Sequence, residues 1–252
     1  MSTTRINPGW RARIGVLWPE TGNTDDELWG FVPSGVAVHV ARTLADGPAS
    51  VEVLKAMAVS ENTERLAEGL GKIDVDVVTY ACTAAGFIRG HGGDAELNSR
   101  LSDAAGGIPA SNAATATVNA LNSLSLERIS IASPYIGEID VLLSEFLDAS
   151  GFKIIRQQNL GIRGPDLGHI SLEEAARLVR QVNSKDCDGV YVACTGIRSL
   201  PIIDALEEDL GKPVVSALQA TMWEALHLSG VQPNVNGLGR LFASPYVDGG
   251  RT

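Results

Sequence analysis

The chain has 252 residues, of which 44% are apolar and 20% are charged, and its formal net charge is −10. This length suffices for one large or two small domains with a sizeable core, and the composition is that of a folded protein rather than a disordered one. The acidic balance argues against binding along a nucleic-acid backbone, which requires clustered Lys and Arg.

No segment of the sequence has the pattern of a membrane or targeting element. Residues 1–18 contain no apolar run long enough for a signal peptide, and no later run reaches transmembrane length. Cys82, Cys187 and Cys194 form no Cys-x-x-Cys pair, and the four histidines are scattered, so neither a disulfide framework nor a zinc site is indicated. We therefore expect a cytoplasmic protein that binds no membrane and no metal ion.

Short runs rich in Val and Ile alternate with helical patterns along the chain. The predicted strands are near-continuous apolar runs, which are typical of strands buried on both faces of a parallel sheet. They are residues 13–18, 75–82, 128–133, 188–194 and 212–217. Predicted helices include residues 62–72, 138–151 and 171–184, the last with Ser171 and Glu174 in the spacing of a capping box. Strands and helices in alternation predict an α/β fold with parallel strands.

The second half of the chain repeats the first. Three segments match in the same order: "RIGVLWP" with "RISIASPY", "DVVTYACTAAG" with "DGVYVACTGIR", and "GIPASNAATATVNAL" with "GKPVVSALQATMWEAL". We predict two pseudo-symmetric halves, residues 1–125 and 126–230, each with a central parallel sheet flanked by helices, and a tail, residues 231–252, that returns to the first half. Ligands of open α/β sheets bind beyond the carboxyl ends of the strands, so the predicted active site lies in the cleft between the halves.

Cys82 and Cys194 each end a predicted strand and are each followed by Thr and small residues. At the start of a following helix, backbone N–H groups and the helix dipole stabilise a thiolate and would lower its pKa from about 8.5 toward neutrality. The same N–H groups can hold a carboxylate or a developing enolate. A single cysteine after a buried strand is more often a small core residue. The duplicated context favours a functional pair, whereas Cys187 has no counterpart and is interpreted as structural.

Two further residues are candidates for binding the substrate. Tyr135 follows a strand end, where its hydroxyl could donate to a carboxylate; the alternative is a tyrosine packed at the end of a strand. Asn23 lies in the turn-rich segment "PETGNTDDE", where it could bind a carboxylate; the alternative is that Asn23 or Thr24 caps the next helix.

With these residues, the chain resembles the aspartate/glutamate racemase superfamily, and within it the branch of maleate cis–trans isomerases and arylmalonate decarboxylases. The likeness runs from "RIGVLWP" to "GLGRLF". The resemblance places the two cysteines of the family on Cys82 and Cys194 and its cleft tyrosine on Tyr135. The positions that form the oxyanion pocket of the decarboxylases fall beside the cysteines, on Thr83, Ala84, Thr195 and Gly196.

The departures from these relatives distinguish between their activities. Arylmalonate decarboxylases have glycine in place of the first cysteine, so the presence of Cys82 favours a two-thiol isomerase or racemase. Maleate isomerases carry a carboxylate-binding asparagine in the region where this chain reads "RGPDLGH", and their asparagine after the first strand is matched by Asn23 only with a shift of about one position.

The resemblance therefore implies a cofactor-independent isomerase of a small carboxylate substrate. The expected reaction is cis–trans isomerisation of a maleate-like dicarboxylate, with Cys82 forming a covalent adduct and Cys194 supplying a proton. The alternatives are racemisation at an α-carbon by two-thiol proton transfer, decarboxylation with Cys194 as the proton donor, and a non-catalytic binding protein. We expect no cofactor, no nucleic-acid partner, and a homo-oligomer.

Overall fold

The computed structural model describes residues 9–45, 47, 50–162, 164–233 and 235–244. They form two four-stranded parallel sheets with the strand orders β2-β1-β3-β4 and β6-β5-β7-β8. The strands of the first sheet are β1 (Ala12–Pro19), β2 (Val36–Thr43), β3 (Val77–Tyr80) and β4 (Ala110–Asn112). Those of the second are β5 (Arg128–Ser133), β6 (Lys153–Asn159), β7 (Gly189–Val192) and β8 (Val214–Ser216). The two sheets have the same order, which confirms the predicted α/β fold with two similar halves.

Helices connect successive strands and cover the sheets. In the first half they are α1 (Val51–Met57), α2 (Glu61–Gly71), α3 (Thr83–Phe87), α4 (Gly93–Ala104) and α5 (Ala113–Ser123). In the second half they are α6 (Gly137–Ala149), α7 (Leu172–Val182), α8 (Ile203–Leu210), α9 (Ala217–Leu228) and α10 (Gly239–Ala243). The predicted capping box of α7 is present, with the Ser171 and Glu174 side chains each bonded to the other's backbone N–H. No helix within the described ranges is long and apolar enough to span a membrane.

The two halves meet through their equivalent helices α5 and α9, which pack against each other. Asn112 caps α5, and Ser216 caps α9 at the corresponding position after the fourth strand of each sheet. Across this interface the Asn119 side chain donates to Glu224 Oε1 over 3.1 Å, in a buried position. Because each helix begins at the carboxyl end of a strand, this packing turns the carboxyl ends of both sheets toward one cleft.

The C-terminal tail is described as far as Ser244. Helix α10 packs against α8, α9 and β8 of the second half, and the backbone N–H of Arg240 donates to Glu207 Oε2 over 2.8 Å. The rings of Phe242 in the tail and Phe31 in the first half have centroids 5.9 Å apart, and the return of residues 231–252 to the first half stays a prediction. Residues 245–252 lie outside the described residues.

Candidate active site

The sheets hold both cysteines in equivalent places. The N–H of Ala81 donates to the Leu17 carbonyl and that of Ala193 to the Ala132 carbonyl, each over 2.9 Å, so each ladder continues for one residue beyond the strand. Cys82 and Cys194 come next, with 7% and 8% of their surfaces exposed. Both line one cavity of about 500 Å³. The structure therefore brings the two thiols from opposite halves to a shared space, as the sequence repeat predicts.

Apolar side chains form most of the wall of this cavity. Helix α1 contributes Val53, Leu54 and Met57, while Ile136 and Ile139 come from the start of α6. Among the described lining residues, Glu20 is the only one with a charged side chain. The polar lining residues lie beside the two cysteines, at the carboxyl ends of β3 and β7, and at Glu20 and Thr21, directly after β1.

Cys82 is the N-cap residue of α3, with φ −130° and ψ 98°. The pKa of its thiol is raised to about 11, mainly by burial and to a smaller extent by the neighbouring Cys194. Hydrogen bonds from the backbone N–H groups of Ala85 and Ala84 act in the opposite direction. The prediction that this turn lowers the pKa toward neutrality is therefore wrong. Helix α3 has only five residues, so its dipole and N–H groups do not offset the loss of water around the sulfur.

Cys194 adopts a different backbone conformation, with φ at +78°. The N–H of Gly196 donates to the Cys194 sulfur over 3.3 Å, and the N–H of Ile197 donates to the Cys194 carbonyl over 3.3 Å. Burial raises the pKa of the Cys194 thiol, while hydrogen bonds from the Gly196 N–H, the Tyr135 hydroxyl and the Ile197 N–H act in the opposite direction. A non-glycine residue at positive φ is strained, and such conformations persist where the surroundings fix them.

Tyr135 lies in the cavity, as predicted, with 6% of its surface exposed. Its ring packs edge-on against Phe87 of α3, with the centroids 5.9 Å apart. Burial first, and then the proximity of Cys194, raises the pKa of its hydroxyl well above the ordinary range, so this hydroxyl is a neutral donor. The ring packs at a strand end and the hydroxyl donates to the Cys194 sulfur, while donation to a substrate carboxylate stays a prediction.

The two threonines that follow the cysteines have different environments. Thr83 is buried and lines the cavity, and its hydroxyl has no hydrogen-bond partner among the described residues. Thr195 also lines the cavity, but its hydroxyl donates to the carbonyl of Ala81 over 2.7 Å. Ala84 and Gly196, the other predicted binding positions, both line the cavity.

Asn23 is not among the residues that line the cavity. It is exposed, and its side chain lies close against Gly168, while its carbonyl accepts from Arg198 Nη2 over 3.2 Å. Gly22 and Gly168, on either side of it, do line the cavity, so Asn23 lies beside the edge of the site. Cys187 is buried at the start of β7, where its sulfur donates to the Ser184 carbonyl over 3.1 Å, away from the lining residues.

Sequence reasoning missed the apolar wall of the cavity and also two aromatic residues beside the cysteines. Trp18, at the end of β1, lines the cavity, and its indole N–H is buried without a hydrogen-bond partner among the described residues. Its position at a strand end could have revealed it. Tyr80, the last residue of β3, is fully buried and hydrogen-bonds toward Cys82 and the Thr43 hydroxyl. No pattern in the sequence separates Tyr80 from an ordinary core tyrosine.

No three His, Cys, Asp or Glu side chains are grouped as possible ligands of a metal ion within the described part of the chain. The expectation that neither a metal ion nor a cofactor takes part stays a prediction.

The fold and the site define a class of α/β protein in which two similar halves each present one buried cysteine to a common cavity. A family model described as "Arylmalonate decarboxylase" matches residues 39–242. The chain belongs to this family, which confirms the predicted branch.

The chain is similar to maleate isomerases and to an arylmalonate decarboxylase. A maleate isomerase of Pseudomonas putida is 32% identical over 247 residues, which cover 93% of this chain and 98% of the relative. An arylmalonate decarboxylase of Bordetella bronchiseptica is 32% identical over 189 residues, covering 73% and 78%. A solved structure of the Nocardia farcinica maleate cis–trans isomerase, a cysteine-to-serine variant with a covalently bound succinylcysteine intermediate, is 25% identical with a TM-score of 0.85, covering 92% of this chain and 98% of that one.

Proposed function

We propose that this protein is a cofactor-independent isomerase that converts a short cis-unsaturated dicarboxylate of the maleate type into its trans isomer. The observation that carries the proposal is the pair of thiols, Cys82 and Cys194, which line one cavity from opposite halves. The succinylcysteine in the Nocardia farcinica structure supports covalent addition of a cysteine sulfur in a protein of the same fold.

In the proposed reaction Cys82 acts as the nucleophile and Cys194 as the acid. Cys82 first loses its proton to solvent. Its sulfur then forms a bond to one alkene carbon, and the electron pair of the double bond moves to the neighbouring carbon, where it is delocalised into the attached carboxylate. Cys194 gives its thiol proton to that carbon, and a succinyl adduct on Cys82 results. The former double bond is now single and can rotate.

The second stage reverses the first from the rotated conformer. The Cys194 thiolate removes a proton from the carbon that it protonated, the double bond re-forms in the trans geometry, and the bond between carbon and the Cys82 sulfur breaks. Cys194 is again a thiol, and Cys82 leaves as the thiolate, which takes back from solvent the proton that it first lost, so no oxidant, reductant or cofactor is needed. The raised pKa of Cys194 suits this role because the thiol is protonated at neutral pH when it must donate.

Residues around the cysteines have properties that suit binding of the substrate carboxylates. We assign this role to Thr83, a cavity-lining residue whose buried hydroxyl has no partner among the described residues, and to the turns at Ala84 and Gly196, where a methyl group or a bare Cα leaves the backbone approachable. The single hydroxyl proton of Tyr135 is donated to the Cys194 sulfur, and we assign it to a substrate carboxylate when one is bound. Asn23, at the edge of the cavity, stays a predicted substrate contact, as does the backbone at Thr195, whose hydroxyl is already bonded to the Ala81 carbonyl.

One observation favours decarboxylation as a second candidate. A cavity of about 500 Å³ with apolar walls is larger than a four-carbon diacid requires, and it suits a substrate that carries an apolar substituent. Decarboxylation of an α-substituted malonate would use Cys194 alone, as donor of a proton to the enediolate that remains when CO₂ leaves.

A single set of assays distinguishes the candidates. The protein, Cys82→Ala and Cys194→Ala are each incubated with maleate, with phenylmalonate, and with aspartate and glutamate in deuterated water, and products are followed by NMR. Isomerisation predicts a trans product that neither variant forms, and a maleic-acid adduct on the Cys82 peptide of the wild type in mass spectrometry. Loss of CO₂ that survives Cys82→Ala supports the decarboxylase. Exchange of an α-proton without an adduct supports the racemase.

The predicted homo-oligomer and cytoplasmic location also stay proposals. Size-exclusion chromatography with light scattering tests the first, and cell fractionation tests the second.

A further inference from the structure

Thr195 joins the two cysteine turns across the cleft. Its hydroxyl donates to the carbonyl of Ala81 over 2.7 Å, and Ala81 directly precedes Cys82. Its own carbonyl accepts from the Thr24 hydroxyl over 3.0 Å. Thr24 and Thr195 are buried, with 0% and 4% of their surfaces exposed. One residue beside Cys194 is thus bonded at both its side chain and its backbone to the opposite half.

The turn that begins at Cys194 is fastened to the first half at further points. Arg198 pairs with Asp26 through two bonds of 2.8 Å. Glu27 Oε2 accepts from the backbone N–H of Ser199 over 3.1 Å in a buried position. These contacts hold the residues that follow Cys194, while Thr195 holds the residue next to it. Since the φ of Cys194 is +78°, the direction of its side chain depends on such anchors.

The corresponding threonine of the first half has no such bond. Thr83 follows Cys82 as Thr195 follows Cys194, and it too lines the cavity, yet its buried hydroxyl has no partner in the described chain. Cys82 begins helix α3 and keeps an ordinary extended backbone, so its turn is fixed by the helix rather than by a bridge. Two threonines that occupy the same place in the repeat therefore have different environments.

We propose that Thr195 is a positioning residue, whose hydroxyl bond to the Ala81 carbonyl sets the placement of Cys194 relative to Cys82 across the cavity. Its sequence counterpart Thr83 instead meets the substrate. The inference rests on the proposed function only in that both thiols act on one bound molecule. Thr195→Val keeps the shape of the side chain and removes the donor, whereas Thr195→Ser keeps the donor. Thr83→Val and Thr83→Ser are the matched pair at the equivalent position.

The first readout needs no turnover. Dibromobimane alkylates two thiols and fluoresces when both have reacted, and peptide mapping reports which cysteines it has joined. The reaction is run at about pH 10, because the raised pKa of Cys82 makes its alkylation slow at neutral pH. The wild type and Thr195→Ser are expected to join Cys82 to Cys194 at rates within about twofold of each other, and both Thr83 variants to do the same. Thr195→Val is expected to do so about tenfold more slowly or not at all. Equal rates for Thr195→Val and wild type, or no Cys82–Cys194 product in the wild type, would overturn the inference.

The second readout is turnover of maleate. Thr195→Val is expected to lower kcat by about tenfold to a hundredfold with little change in KM, because misplacement of a reacting group acts on the chemical step. Thr195→Ser should restore kcat. Thr83→Val is expected to raise KM by about fivefold through the loss of one neutral hydrogen bond. A rise in KM alone for Thr195→Val would make Thr195 a substrate contact and contradict the inference.

The design separates this inference from the proposed function. If maleate is not turned over but the cross-linking pattern is as expected, the proposed substrate fails and the role of Thr195 stands. If Thr195→Val does not fold, Thr24→Val replaces it, because that change removes the other bond to Thr195, and Thr24→Ser is its control. The Thr24 pair is expected to follow the Thr195 pair in cross-linking, and the absence of any difference between Thr24→Val and Thr24→Ser counts against the bridge.

Discussion

The raised pKa of Cys82 predicts that its thiol is unreactive toward alkylating agents at neutral pH. With a pKa of about 11, about one molecule in 10⁴ carries the thiolate at pH 7, against about 3 in 100 for a free cysteine with a pKa of about 8.5. This difference in the amount of thiolate is about 300-fold. A thiolate of higher pKa is a better nucleophile, which offsets a factor of about 10 to 20.

The expected rate of alkylation of Cys82 by iodoacetamide at pH 7 is therefore about 15- to 30-fold below that of free cysteine. Limited access to a residue with 7% of its surface exposed slows it further. The rate should rise about tenfold per pH unit from pH 7 to 10, whereas that of free cysteine levels off above about pH 8.5. Cys194→Ala should increase the rate at a given pH, because Cys194 contributes to the raised pKa.

The assay is a timed reaction that is quenched and analysed by peptide mass spectrometry, so that Cys82, Cys194 and Cys187 are followed separately. Cys187 is the internal control, since it is equally buried but lies away from the cavity. Alkylation of Cys82 at pH 7 faster than that of free cysteine would refute the reasoning. It would mean that the N–H groups of Ala84 and Ala85 outweigh burial.

Three further changes test other parts of the structure. Tyr135→Phe should leave the fold intact and lower the rate of proton transfer by about tenfold. It should also shift the pH profile of Cys194 alkylation to higher pH, because the sulfur loses a hydrogen-bond donor. An unchanged profile would contradict the contact between the Tyr135 hydroxyl and the Cys194 sulfur. Gly86→Ala places a methyl group against the Asn112 side chain and Ala114. It should lower the free energy of unfolding, measured in urea titrations, by about 1–3 kcal/mol. A variant as stable as the wild type would contradict the close packing of α3 on α5. Burial raises the pKa of Glu27, so the wild type should lose stability relative to Glu27→Gln as the pH rises from about 4.3 through that raised pKa. The measurement is the free energy of unfolding of both proteins from urea titrations at pH 4 and pH 7. The same difference between the two proteins at both pH values would contradict the prediction.

The central strands of both sheets and the short edge strand β8 could be predicted from the sequence, but the other edge strands, β2, β4 and β6, could not. β1, β3, β5 and β7 have neighbours on both sides and are almost wholly buried, so they appear as continuous apolar runs. β6 pairs only with β5 in the described sheet and includes exposed residues in "KIIRQQN". Such a mixed pattern does not distinguish an edge strand from a loop.

The sequence repeat predicted that Cys82 and Cys194 share a cavity, because equivalent strand ends face each other when equivalent helices pack. It could not predict their protonation, since the loss of water around each sulfur depends on side chains from the other half, such as Tyr135 beside Cys194. Nor could it predict the partner of the Thr195 hydroxyl, because Ala81 offers only a backbone carbonyl, which leaves no mark in the sequence.

A duplicated pair of Ala-Cys-Thr turns would by itself supply two equivalent thiols, whereas the proposed reaction needs one nucleophile and one proton donor. The backbone supplies the difference. Cys82 begins a helix, and its sulfur faces the N–H groups of Ala84 and Ala85, while Cys194 is held at positive φ with a neutral tyrosine hydroxyl at its sulfur. Both pKa values are raised and the two thiols interact, so a pH–rate profile should report the pair rather than either residue. The productive form is the one that has lost a single proton, and its population is greatest between the two apparent values. Loss of the second proton removes the donor, so activity should rise with pH above neutrality and fall again once both thiols are ionised.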